Sequence, residues 1–350
     1  MNWEPQAWAS RRARPSWACG CSPPTAAAPP SSLATVIAPS PAAADSVGHL
    51  KSSPAADTAA QLLGLLAAGI FVLLTLASLW RLRLHPQAAL EDRRHALRHP
   101  FLATVPASLV LLASVGAAQL GPGPALRGLW MLGAALQLAV TAWVLLRWWQ
   151  AGHGTGGGKP WVGVTPVLFI PIVGNVLAPL AGLQLGLGGW ATAQFALGAL
   201  MWPLLVAALA HRLRAHGWWP ERLRPSVFIL IAPPALVGTG LLELGAPAWA
   251  GWLMWAVAAG FAAWAALQLP AISQQPLGMP HWALSFPLTA WASLGLRLAV
   301  LPGHAGPALP GVALLAVASL VIAALLLGTV RGLRQGTLLV PEPVATLKPS

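Results

Sequence analysis

From residue 60 onward the chain is a succession of apolar stretches. Each is close to the ~20 residues that an α-helix needs to cross a bilayer. They run over 60–80, 101–120, 126–146, 161–183, 188–210, 226–244, 248–269, 282–301 and 308–330, and they predict nine spans. Apolar residues recur on every helical face of these stretches, without the single stripe of a soluble helix. The ten-residue alternation of a membrane barrel strand is equally missing. Residues 1–59 read differently: they are Pro/Ala/Ser-rich and hold no apolar run approaching 20 residues. The pattern divides the chain into an N-terminal segment 1–59, disordered or altered in reading frame, a membrane domain 60–335 and a tail 336–350. A secretory signal needs an apolar core after its basic start, and Arg11–Arg12 is followed by none.

Composition narrows the class. Hydrophobic residues make up 57% of the 350 and charged residues 8%, against ~25% charged in an ordinary soluble domain. A soluble fold cannot cover itself with so few charges, and a chain this apolar is not disordered along most of its length. The net charge of +12 comes from 20 Lys+Arg against 8 Asp+Glu. Fourteen of the twenty basic residues fall in alternate loops, on one side of the predicted spans, and at the C-terminus; examples are Arg81, Arg98, Arg147, Arg212, Arg222 and Arg331. The positive-inside bias places that side in the cytoplasm of a plasma (inner) membrane protein. The high charge therefore expresses topology, and no nucleic acid is expected as a partner. Ten tryptophans near span ends, Trp80, Trp130, Trp219 and Trp249 among them, predict interfacial belts. Cys19 and Cys21 are too few for a disulfide scaffold or a four-thiolate zinc site.

Four spans carry an internal proline after an apolar or small residue: Pro106 in ATVPAS, Pro171 in LFIPIV, Pro233 in IAPPAL and Pro287 in SFPLT. Their spacings, 65, 62 and 54 residues, are about one helical hairpin each. The intervening spans are smoother and mostly end in arginine. An internal proline kinks a helix, and in a membrane the freed carbonyls must be satisfied elsewhere or line a cavity. The repeat predicts kinked helices around a shared axis. Pro203 breaks the pattern and is expected to serve packing.

Reactive chemistry is sparse. Glu243 and Arg297 are the formal charges within spans, both near span ends where a long side chain reaches the interface at little cost. No metal cluster, cofactor motif, nucleophile–base pair or paired carboxylates is legible, so an enzyme is not expected. Asn175 is the notable neutral polar residue, either on the pore axis or bonded to backbone freed near Pro171. The loop GHGTGGGKP (152–160) departs from a phosphate loop at His153 and Pro160. The nine histidines are expected on solvated surface; His95 and His99 alone show helical spacing.

The segments RLRLHP, TPVLFIPIVGNVLAPLAG, LRPSVFILIAPPA and WALSFPLTAWASL, in their order along 60–335, resemble the tellurite-resistance and dicarboxylate transporter family, which includes the TehA-like proteins and the plant slow anion channels. The resemblance implies an all-α polytopic membrane protein with helical hairpins in a quasi-fivefold arrangement around a central pore. It also implies homotrimers with one pore per subunit. Nine spans are recognisable, and the first helix of that pattern is expected to be missing. The family's gate, an aromatic ring on the ninth helix, matches Phe286 next to Pro287. A ring across a narrow apolar pore blocks hydrated ions by dewetting and sterics. The resemblance implies small inorganic or organic anions as cargo, no cofactor, and passive channel or uniporter action. The alternatives are a secondary carrier for C4-dicarboxylates, sulfite or tellurite-related oxyanions, or a non-transporting membrane scaffold should the first helix be absent.

Overall fold

The computed structural model describes residues 54–87, 90, 98–153, 161, 164–301, 308–336 and 338, with the side chains of 151–153 excepted. The segment 1–53 with both cysteines, His95, most of the loop 152–160 and most of the tail lie outside the described residues. The described chain is helical and contains no strand. Its main elements are α1 (Pro54–Leu84), α2 (Thr104–Leu120), α3 (Pro124–His153), a broken segment 166–182 that includes α4 (Phe169–Val173) and α5 (Pro179–Gly182), α6 (Gly188–His216), α7 (Ala232–Glu243), α8 (Ala248–Ala266), α9 (Leu269–Ser273), α10 (Ser285–Ala299) and α11 (Leu309–Arg334). Helical structure stands at all nine predicted places. Seven stretches are long and apolar enough to cross a membrane. The other two, 166–182 and 279–299, are short α-helices joined to 3-10 turns.

The prolines explain that difference. Pro106 and Pro287 are each third in their α-helix, Pro233 is second in α7, and Pro171 is third in α4. The first four N–H groups of an α-helix have no partner within it, so a proline there forfeits nothing. Each is preceded by 3-10 helix: His99–Ala103, Pro166–Leu168, Glu221–Ile231 and Met279–Leu284. The elements expected as mid-helix kinks are thus two-part rods, 3-10 at the basic end and α beyond. Pro203 lies inside the uninterrupted α6 and is exposed, so it serves no packing within the chain.

Four hairpins follow, each a two-part element against a straight helix: α2 with α3, the broken segment with α6, α7 with α8, and α10 with α11. Glycines set the closest approaches. A Cβ on Gly311 would stand 2.7 Å from the backbone nitrogen of Leu296, so α10 and α11 touch nearly backbone to backbone. Gly121, at φ 81°, ends α2 in a conformation open to glycine alone at little cost. The helix α1 is apolar and none of its residues is buried. It meets α2, where Gln119 Nε2 donates to the Ala60 carbonyl at 2.7 Å.

Two of the tryptophans expected in interfacial belts are core residues instead. Trp130 is fully buried and donates to the Ala178 carbonyl at 3.2 Å, and Trp219 is buried and donates to the Leu223 carbonyl at 3.0 Å. Trp80 and Trp249 are exposed. His99 departs from the surface reading as well: it is buried edge-on against Trp143 at 5.6 Å.

Candidate functional site

A cavity of about 1480 Å³ opens within the bundle, and the origin of its lining is its main property. Every lining residue comes from the two-part elements, from the turns that lead into them, or from Arg81 at the end of α1. The straight helices α3, α6, α8 and α11 contribute none. The two-part elements pack in sequence, α2 on the broken segment, that segment on α7, and α7 on α10. Between α10 and α2, at the two ends of this row, the described residues show no comparable packing.

The four prolines are all buried. Pro287 borders the cavity directly, whereas Pro106, Pro171 and Pro233 stand one position from lining residues: Ala107, Ile170 and Ala232. Phe286 also lines it, 40% exposed, from the first turn of α10. The deepest lining residues along their elements are apolar: Leu111, Leu177 and Leu236.

The basic end of the cavity carries its charges: Arg81, Arg98, Glu221 and Arg222, with His281 beside them. Glu221 is paired to Arg224 at 3.2 Å. Gln275 Nε2 donates to the Glu221 carbonyl at 2.8 Å and ties this rim to the turn before α10. Beyond the rim the described wall residues carry no formal charge. Its hydroxyls are committed: Thr104 donates to Phe101 O at 2.7 Å, Ser108 to Thr104 O at 2.8 Å and Ser226 to Leu223 O at 2.6 Å. Among the described wall residues beyond the rim, an anion meets no hydroxyl donor that is free of such a bond.

Asn175 does not reach the cavity; it is 1% exposed, in the wall behind it. Its Nδ2 donates to Thr141 Oγ1 at 2.9 Å and to Pro171 O at 3.0 Å, and its Oδ1 accepts from Gln194 Nε2 at 3.0 Å. Pro171 O also lies 2.8 Å from Gln137 Nε2 and 2.6 Å from Thr141 Oγ1. Of the two alternatives, the geometry is that of side chains bonded to backbone at a proline. Gln137 Oε1 and Gln194 Oε1 are buried without a hydrogen-bond partner among the described residues. Leaving such an acceptor unpaired costs about 1–3 kcal/mol.

Glu243 and Arg297, at the far ends of α7 and α10, form an ion pair with each other. Sequence separation of 54 residues hid this pair, as separations of 34 and 19 hid the partners of Asn175. The legible signal in each case was merely a polar residue in an apolar run.

No curated protein matches the chain. The family model described as SLAC1, voltage-dependent anion channel, matches residues 31–330, which is most of the sequence and begins within the Pro/Ala-rich segment. An all-α polytopic bundle, a cavity with a charged rim and an apolar wall lined by proline-bearing elements, and a match of this extent agree: the chain is an integral membrane protein of the SLAC1 family of anion channels and transporters.

Proposed function

We propose that the chain is a passive anion channel or uniporter of the plasma (inner) membrane, with the cavity as its permeation path and Phe286 as its gate. The observation that carries this reading is the division of labour in the lining: proline-bearing elements line the cavity and the straight helices stand outside it. The basic rim faces the cytoplasm and concentrates anions there. Phe286 projects into an apolar passage, where a ring excludes hydrated ions until a rotamer change moves it aside. With the interior negative, each 100 mV drives a monovalent anion outward by ~2.3 kcal/mol, so efflux needs no coupled ion.

The committed hydroxyls argue for the kind of anion. A wall that returns little of the lost hydration favours anions that shed water easily, such as nitrate, over strongly hydrated divalent oxyanions. This weighs against sulfite, tellurite-related oxyanions and C4-dicarboxylates as cargo. The homotrimer with one pore per subunit belongs to the same proposal.

The test is Phe286→Ala in the purified, full-length protein reconstituted into planar bilayers. Conductance in symmetric nitrate is expected to rise. Unchanged or lower conductance from protein that accumulates normally removes Phe286 as the gate. Uptake that follows a proton gradient at clamped voltage replaces the channel with a coupled carrier, and absence of flux in both assays leaves a scaffold.

A further inference from the structure

The four wall elements of the cavity are not equally able to support themselves. Three contain α-helices of 17, 12 and 15 residues: α2, α7 and α10. The fourth, 166–182, has α-helical pieces of five and four residues, separated by the 3-10 turn Gly174–Leu177, with Pro171 and Pro179 in their first turns. Pieces this short gain no cooperative stability of their own. Apolar contacts are non-directional, so they fix the position of such a segment along its axis less sharply than hydrogen bonds do.

Directed bonds hold it instead. Gln137 Nε2, on α3, donates to Pro171 O; one turn on, Thr141 Oγ1 lies 2.6 Å from Pro171 O and 2.7 Å from Gln137 O, so its single proton is shared between the two carbonyls while its oxygen accepts from Asn175 Nδ2. From the other side Gln194 on α6 grips Asn175 and also donates to the Ala134 carbonyl of α3, at 3.1 Å. The next residue in line is Gly174, which lines the cavity on one side and lies against Gln137 on the other; a Cβ there would be 2.2 Å from Gln137 Nε2. The network thus stands directly behind the cavity wall.

We propose that Gln137, Thr141, Asn175 and Gln194 are positioning residues of the permeation path. They fix the height of the broken segment against α3 and α6, and so set the aperture that Gly174 and Leu177 present to α7 and α10. This rests on the reading of the cavity as an anion path, and the test separates the two.

The full-length protein with Cys19→Ser and Cys21→Ser has no other thiol, and Leu177→Cys places one at the end of the lining. In inside-out vesicles a charged methanethiosulfonate reagent is expected to label it slowly. Thr141→Val removes the hydroxyl at nearly constant shape and is expected to raise the labelling rate about tenfold, equivalent to ~1.4 kcal/mol in favour of the displaced segment. In the chain without Leu177→Cys it is expected to shift the nitrate/chloride permeability ratio read from reversal potentials. Thr141→Ser restores both. Thr141→Val at normal abundance with unchanged labelling and unchanged ratio overturns the proposal. If Thr141→Val does not accumulate, Gln194→Leu on the opposite helix is read by the same criteria. Faster labelling in a protein that passes no anion supports the positioning role and sinks the anion path.

Discussion

Gly174→Ala concentrates the reasoning about the buried network in one methyl group. The added Cβ would lie 2.2 Å from Nε2, 2.4 Å from Cδ and 2.7 Å from Oε1 of Gln137, all well inside van der Waals contact. Gln137 is fully buried, so a shift of its amide strains or breaks the bond it donates to the Pro171 carbonyl at 2.8 Å. The displaced buried amide costs about 1–3 kcal/mol, and forcing an extra carbon into a packed interior costs a further ~1–3 kcal/mol. The gain from replacing glycine by alanine in helical conformation offsets roughly 0.5–1 kcal/mol of this. The net expectation is a loss of about 1–5 kcal/mol. At ~2 °C per kcal/mol for a large chain, the midpoint of thermal unfolding in detergent, followed by tryptophan fluorescence, falls by roughly 2–10 °C. Gln137→Ala in the same chain vacates the space the methyl needs, so the double variant is expected to be less destabilised than the sum of the singles. A Gly174→Ala protein with the wild-type midpoint, or strictly additive singles, would refute the packing argument. Gly260→Ala on α8 is the control, since nothing lies within 4 Å of its added carbon; its midpoint is expected to stay or rise.

Arg297→Met leaves Glu243 without its partner at 17% side-chain exposure, and is expected to cost ~1–3 kcal/mol; Glu243→Met in the same chain should recover most of the lost thermal midpoint. Arg222→Gln on the rim is expected to lower anion conductance in dilute salt and to lose that effect near 1 M, where charges act over only ~3 Å. An equal deficit at both concentrations would mean a structural defect. Gly311→Ala pushes α10 off α11 against backbone atoms that cannot rotate away; a clear fall in the thermal midpoint is expected, and an unchanged one would show that the two helices can part without loss.

Hydropathy located all nine helical places because the membrane selects for apolar length, and that property is local in sequence. Pro106, Pro171, Pro233 and Pro287 recur in the four elements that contribute lining residues to the cavity. What their recurrence did not reveal was how these elements are built. A proline in a run such as LFIPIV is compatible with a mid-helix kink and with the first turn of a new helix, and only the backbone dihedrals choose between them. Asn175 was visible as a polar residue, but Gln137, Thr141 and Gln194 sit on other helices, and nothing local assigns them to it. Trp130 and Trp219 were misplaced for a related reason. An indole near a span end satisfies its N–H equally well with headgroups or with a buried carbonyl, and the carbonyls of Ala178 and Leu223 belong to the tertiary fold.

The 3-10 form of the rods at their basic end changes how far the chain reaches per residue. A 3-10 helix rises ~2.0 Å per residue against 1.5 Å in an α-helix, and it is slimmer. The eleven residues Glu221–Ile231 therefore span roughly 22 Å where α-helix would cover about 16 Å. Slender, stretched struts leave more room between them than full-width helices would, which widens the vestibule at the end where arginines gather.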